Sequence, residues 1–262
     1  MMINNFIGTW NQKLRPAARR TIAVLSALLA MNSIAAYAQP ASMNGTNGTN
    51  GMNGTNGTKA TNSLNDSNGI NSLENFIKTT KSGRASFSQV VTSPAKEGQT
   101  PKIKTSSGSF EFLRPNRFKF IYKKPFEQSI VADGQTLWLH DMDLNQVTAR
   151  KLAQVLNGTP AAVIAAAGDL KGLEADFNLT PLPEKSGLQW VQASPKTKDG
   201  QLQSISVGFK PTDKGSELAV LEILDSFGQK SVMTFSQFEV NPALSPANFQ
   251  FKPPAGADVI RQ

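Results

Sequence analysis

His140 is the only histidine in the 262 residues, and the chain has no cysteine. A nucleophile triad needs an imidazole oriented by a carboxylate, and the nearest in sequence are Asp141 and Asp143. Adjacent strand residues point to opposite faces, so Asp141 is a poor partner for His140. A zinc site needs several nitrogen or sulfur ligands, which one histidine does not supply. No glycine loop of the phosphate-cradling kind follows a strand. Glu97, Glu111 and Glu127 have no spacing that singles out an acid and a base, and they read as solvated strand edges. An exported hydrolase built on His140 is the enzyme-class alternative; the residues as a whole point to a protein that is not an enzyme and takes no metal or cofactor.

The second candidate is a charge in an aromatic row. Residues 110–122 read as two short strands joined by a turn at Pro115-Asn116. Side chains alternate across a strand, so Phe110, Phe112 and Arg114 share one face, as do Phe118, Phe120 and Tyr122 on the return strand. A three-residue loop ending at Arg117 matches the aromatic faces, with Phe112 opposite Phe120 and Arg114 opposite Phe118, and is the register expected. Arg114 either snorkels to water over the aromatics or is a polar latch whose guanidinium holds backbone carbonyls of whatever covers this face.

The elements that must position these residues are mostly strands. Segments 85–92, 105–113, 117–123, 128–132, 136–141 and 146–149 are strand-like, and 188–193, 204–209, 218–225 and 231–238 follow, with turns at Asp133-Gly134, Asp199-Gly200 and Phe227-Gly228. Asn71-Ser72-Leu73-Glu74 resembles a capping box that opens an amphipathic helix through Leu73, Phe76, Ile77 and Thr80. Thr159-Pro160 opens a helix over 161–170 that is apolar on every side, either a core helix or a removable cover over a greasy cavity. Ser245-Pro246-Ala247-Asn248 reads as a helical turn, and Trp138, Trp190, Phe209 and Phe235 read as core.

Residues 1–38 have a basic stretch, an apolar run from Ile22 to Met31 and Ala36-Tyr37-Ala38 before Gln39, the pattern of a cleavable secretory signal. The run is shorter than the ~20 residues of a membrane span. The formal charge is +8, from 27 basic and 19 acidic residues. Removing Lys13, Arg15, Arg19 and Arg20 with the signal leaves 23 basic residues against 19 acidic, too mild a surplus for nucleic-acid binding. Without cysteine there is no site for a lipid anchor, so a soluble exported chain is expected. Residues 39–62, with their Asn-Gly-Thr repeats, form a low-complexity linker, and 63–262 form the functional domain.

In this setting the chain from Ser72 to Pro254 resembles the periplasmic outer-membrane lipoprotein carrier family, LolA. The resemblance is carried by Ala85-Ser86-Phe87-Ser88-Gln89, Arg114-Pro115-Asn116-Arg117-Phe118, Asp133-Gly134-Gln135-Thr136-Leu137-Trp138, Thr159-Pro160 and the closing Phe249-Gln250-Phe251-Lys252-Pro253-Pro254. It implies a mainly β fold with short helices, an incomplete antiparallel β-barrel covered by a helical lid. It also implies a monomeric periplasmic carrier of lipoproteins, whose acyl chains are the ligand, working between an inner-membrane ABC-type lipoprotein release complex and an outer-membrane lipoprotein receptor. The family's latch falls on Arg114, with its acceptors around Ile164, although Arg117 brings a second charge into the same turn and either arginine could serve. The acyl-chain cavity falls on Phe110, Phe112, Phe118, Phe120, Tyr122 and Trp138, and the lid on Leu73, Phe76, Ile77, Val163, Ile164 and Ala165. A lipid-binding envelope sensor of the same fold is the other alternative, which would need a second domain.

Overall fold

The computed structural model describes residues 68–95, 98–156, 164–165, 168–197 and 200–262. The expected signal and linker, Val163 and Glu97 lie outside them. An α-helix, α1 (Asn68–Thr79), precedes six strands: β1 (Ser82–Ser93), β2 (Lys102–Leu113), β3 (Arg117–Lys124), β4 (Gln128–Asp133), β5 (Thr136–Asp141) and β6 (Gln146–Lys151). Helices α2 (Leu152–Leu156) and α3 (Leu170–Asp176) lead to β7 (Phe177–Lys185), β8 (Leu188–Pro195), β9 (Leu202–Thr212), β10 (Gly215–Asp225) and β11 (Lys230–Val240). A 3-10 turn (Pro246–Phe249) and β12 (Asp258–Arg261) close the chain.

All twelve strands form one sheet in the order β12-β6-β5-β4-β3-β2-β1-β11-β10-β9-β8-β7. Pairing is antiparallel except between β12 and β6. The sheet does not close, because β12 and β7 remain as edges. Leu137 and Leu139 of β5 nevertheless share one buried cluster with Val191, Ala193 and Ile205 from the other half, so the sheet curls around a single apolar face. This is the mainly β, unclosed barrel that the family resemblance implies. Its topology also dictates where a cover must lie. The chain leaves one side of the sheet at β6 and re-enters at the far edge as β7, and the described residues of the bridging segment between them are 152–156, 164–165 and 168–176.

Two strands escape a sequence reading. β7 carries Pro181 and Pro183, which a central strand would not tolerate but an edge strand accepts, since its outward N–H groups have no ladder partner. β12 is four residues long and parallel, too short to show alternation. Helix α1 begins three residues before the expected capping box, so Asn71 to Glu74 lie inside it. The early start fits Gly69, where a Cβ would come within 1.9 Å of the Trp190 carbonyl oxygen; only glycine lets the helix approach β8 this closely. The helix expected over 161–170 lies mostly outside the described residues, but its end differs. Gly168 and Asp169 form a bend, and Leu170 starts α3, because Asp169 caps it by accepting from the Gly172 N–H at 2.7 Å.

Candidate functional site

The concave face of β2 and β3 carries the aromatic residues expected there. Phe110, Phe112, Phe118, Phe120 and Tyr122 are all buried. Phe110 stacks on Phe120 with ring centroids 4.4 Å apart, and Phe87 of β1 meets Tyr122 edge-on at 5.0 Å. Rings in offset and edge-on contact gain beyond their buried area. The register differs from expectation: Phe112 faces Phe118, Phe110 faces Phe120 and Leu113 faces Arg117. The loop is Arg114-Pro115-Asn116, closed by Asn116 in the left-handed region at φ 63°, a conformation asparagine tolerates well. Arg117 therefore belongs to the strand and not to the turn.

That register separates the two arginines. Arg114 lies over the concave face, its guanidinium carbon 5.3 Å from the Phe76 ring centroid and 5.5 Å from that of Phe112. Its Nε donates to the Thr80 carbonyl at 3.0 Å, and its backbone N–H to the Lys81 carbonyl at 2.8 Å. The described Nε bond runs to the chain just after α1; Arg114 has a further interaction besides it, and most of the residues around Ile164 where acceptors are expected lie outside the described ones. Burial pulls the Arg114 pKa down to about 10, which leaves the side chain charged at neutral pH. Arg117, one residue before Phe118, faces the other side, where its Nη1 donates to the Pro115 carbonyl at 3.3 Å and its guanidinium lies beside Gly134.

Two helical pieces cover the aromatic face. Leu73, Phe76 and Ile77 of α1 are buried, with Phe76 5.4 Å from Phe209 and 5.9 Å from Phe112. Polar ties hold α1 to the β8–β10 side: Ser72 Oγ donates to Gln189 Oε1, and Asn75 Oδ1 accepts from the Ser216 N–H at 3.1 Å. From the bridging segment, Ile164 and Ala165 are buried in the same cluster, and the Ala165 carbonyl accepts from the Asn116 N–H at 3.2 Å. The turn of the aromatic hairpin is therefore bonded to both covers, through Arg114 to the end of α1 and through Asn116 to Ala165.

At the other end of the concave face a small polar group is fully satisfied. Gln89 Nε2 donates to Ser231 Oγ at 2.8 Å, and Tyr122 Oη donates to Gln89 Oε1 at 3.1 Å. Burial pushes the Tyr122 phenol far up, so it stays protonated and can donate.

Trp138 is not part of the aromatic face. Leu137 and Leu139 turn inward, so the alternation of β5 sends Trp138 and His140 outward. There Trp138 meets Phe251 at 5.4 Å and donates from its indole N–H to Asp133 Oδ2 at 2.8 Å. His140 is buried against the same Phe251, at 5.8 Å. Asp141 is engaged elsewhere, accepting from Gln128 Nε2 and the Leu144 N–H. The flanking leucines were the sequence feature that could have placed Trp138 correctly. Glu111 is likewise no solvated edge: it sits mid-sheet on the outer face, paired with Arg84 at 2.8 Å and Lys119 at 2.7 Å. Among the described residues, no group of three or more histidine, aspartate or glutamate side chains could hold a metal ion.

A family model described as outer membrane lipoprotein carrier protein LolA matches residues 78–252. A protein of Albidiferax ferrireducens named outer-membrane lipoprotein carrier protein is 70% identical over 190 residues, covering 72% of this chain and 89% of its own. A protein of the same name from Leptothrix cholodnii is 54% identical, covering 72% and 84%. A solved LolA superfamily protein from Nitrosomonas europaea aligns over 71% of this chain and 98% of its own at 12% identity and TM-score 0.41. With a family model spanning most of the described domain and relatives 70% and 54% identical, the chain belongs to the outer membrane lipoprotein carrier protein LolA family.

Proposed function

We propose that this protein is a periplasmic carrier which holds the acyl chains of lipoproteins against its aromatic concave face and moves them from an inner-membrane ABC-type release complex to an outer-membrane receptor. The single observation that supports this most is an open sheet with one aromatic face, bridged from β6 to the far edge by a segment bonded to the aromatic hairpin. The names of the relatives support lipoproteins as the cargo. The family is one of carriers, and the protein is not an enzyme.

The energetics suit such a carrier. Each methylene withdrawn from water gains ~0.8 kcal/mol, so covering only ~10 of them gains ~8 kcal/mol. Acyl chains do not stay free in water against such a gain. Onward transfer needs the carrier to hold cargo less tightly than its receptor does, and cover-to-hairpin bonds that favour the closed, empty state lower cargo affinity in that way. The signal over 1–38 supports export, with cleavage after Ala38, and no helix among the described residues is long and apolar enough to cross a membrane.

The test is expression of the full chain in a Gram-negative host, followed by isolation from the periplasm. The expected result is a mature monomer beginning at Gln39 that co-elutes with lipoprotein and surrenders it to outer-membrane receptor. A periplasmic protein that carries no lipoprotein and extracts none from the release complex would overturn the reading.

A further inference from the structure

One cation on the concave face has no role in the account above. Arg150 of β6 pairs across the sheet with Leu137, which pairs with Ala132, which pairs with Phe118, which pairs with Phe112. Residues directly opposite one another share a face, so Arg150 ends an apolar row on the inner side of the sheet. The row lies next to the turn that holds Arg114. Arg150 Nε is buried, and among the described residues nothing accepts its proton. Arg117 Nε is in the same condition but on the outer face. A buried polar atom without a partner costs ~1–3 kcal/mol, which calls for an occupant that supplies one.

We infer that Arg150 is the polar anchor of the cargo, donating to the carbonyl oxygens through which acyl chains are esterified or amidated to the lipoprotein head. This rests on the carrier reading and names where the polar end of the ligand lies. An acyl chain laid along the row from Phe112 to Leu137 meets only apolar side chains; its first polar atom is the carbonyl that links it to the head. A guanidinium has five donors and no acceptor, suited to several such oxygens at once. Arg114 has committed its Nε to Thr80, whereas Arg150 Nε has no acceptor among the described residues to give up.

The test uses the mature chain and two synthetic probes, an S-(dipalmitoylglyceryl)cysteinyl peptide with ester linkages and its ether-linked counterpart, which lacks those carbonyl oxygens. Wild type is expected to bind the ester probe more tightly. Arg150→Met should weaken ester binding about tenfold and leave ether binding unchanged, while Arg150→Lys keeps part of the preference. Because Nε has no partner among the described residues, Arg150→Met should unfold at the same urea concentration as wild type or higher; a structural role would lower it. Equal binding of both probes by Arg150→Met and wild type, or equal weakening of both, would overturn the anchor while leaving the carrier reading intact. Failure of wild type to bind either probe would overturn both.

Discussion

Replacing Arg114 with leucine removes the one guanidinium that ties the aromatic hairpin to the end of α1. Its Nε bond to Thr80 is charge-assisted, a kind worth ~1.5–3 kcal/mol, and its position over Phe76 and Phe112 adds ~0.5–2 kcal/mol. Against these stands burial, which lowers the pKa to about 10 and so costs the charged form on the order of 3 kcal/mol. These described terms nearly cancel, so from them Arg114→Leu should change the global unfolding free energy by less than about 2 kcal/mol. The effect on the cover is different. In the closed arrangement the Thr80 carbonyl loses its donor, at ~1–3 kcal/mol, and water supplies one when the hairpin and α1 separate. The closed, empty form is then weakened about 5- to 150-fold relative to the loaded one. The measurements are the lipoprotein that co-elutes with each variant and the rate of handover to receptor. Arg114→Leu should retain more cargo and release it more slowly. A variant that folds, holds no more lipoprotein than wild type and hands it on at the wild-type rate would refute the latch.

Trp138→Phe removes the indole bond to Asp133 and should lower the unfolding free energy by about 1 kcal/mol, read from urea titration. Cargo occupancy should not change, since Trp138 faces Phe251 on the outer side; a loss of cargo would return it to the binding face. Burial pushes the Glu111 carboxyl up, but the bonds from Lys119 and Arg84 outweigh it and hold the group below its ordinary range. A carboxyl whose folded pKa is depressed stabilises fully above its unfolded value of ~4.3 and loses that contribution as pH falls through the folded value. Glu111→Gln should therefore be less stable than wild type at pH 7, with the difference in urea midpoint shrinking below about pH 4; a gap that stays constant into acid would show that the ion pairs do not contribute.

Much of this architecture was legible in the chain because it depends on local periodicity. Alternation from Phe110 to Phe112 and from Phe118 to Tyr122 defined the aromatic face, and Asp133-Gly134 and Phe227-Gly228 marked turns that the structure contains. Ser245 to Asn248 announced a helical turn, which is present over Pro246–Phe249. The hairpin register was misjudged by one step in the loop, because proline and asparagine indicate a turn without saying which neighbour joins the strands; the left-handed Asn116 decides that. The strand β7 was hidden because its prolines are acceptable only at an edge, and being at an edge is a property of the whole sheet.

By itself, then, the sequence determined which residues alternate together, where the chain turns, and that an arginine shares a strand face with aromatic rings. Those are short-range consequences of strand geometry and backbone preference. Only the tertiary structure decided which of two arginines enters the concave face, that Trp138 and His140 lie outside it, and that Arg150 ends the row that begins at Phe112. Each of these depends on which strands become neighbours, and strand neighbours far apart in the chain are chosen by the closure of one apolar cluster rather than by any residue's own preference.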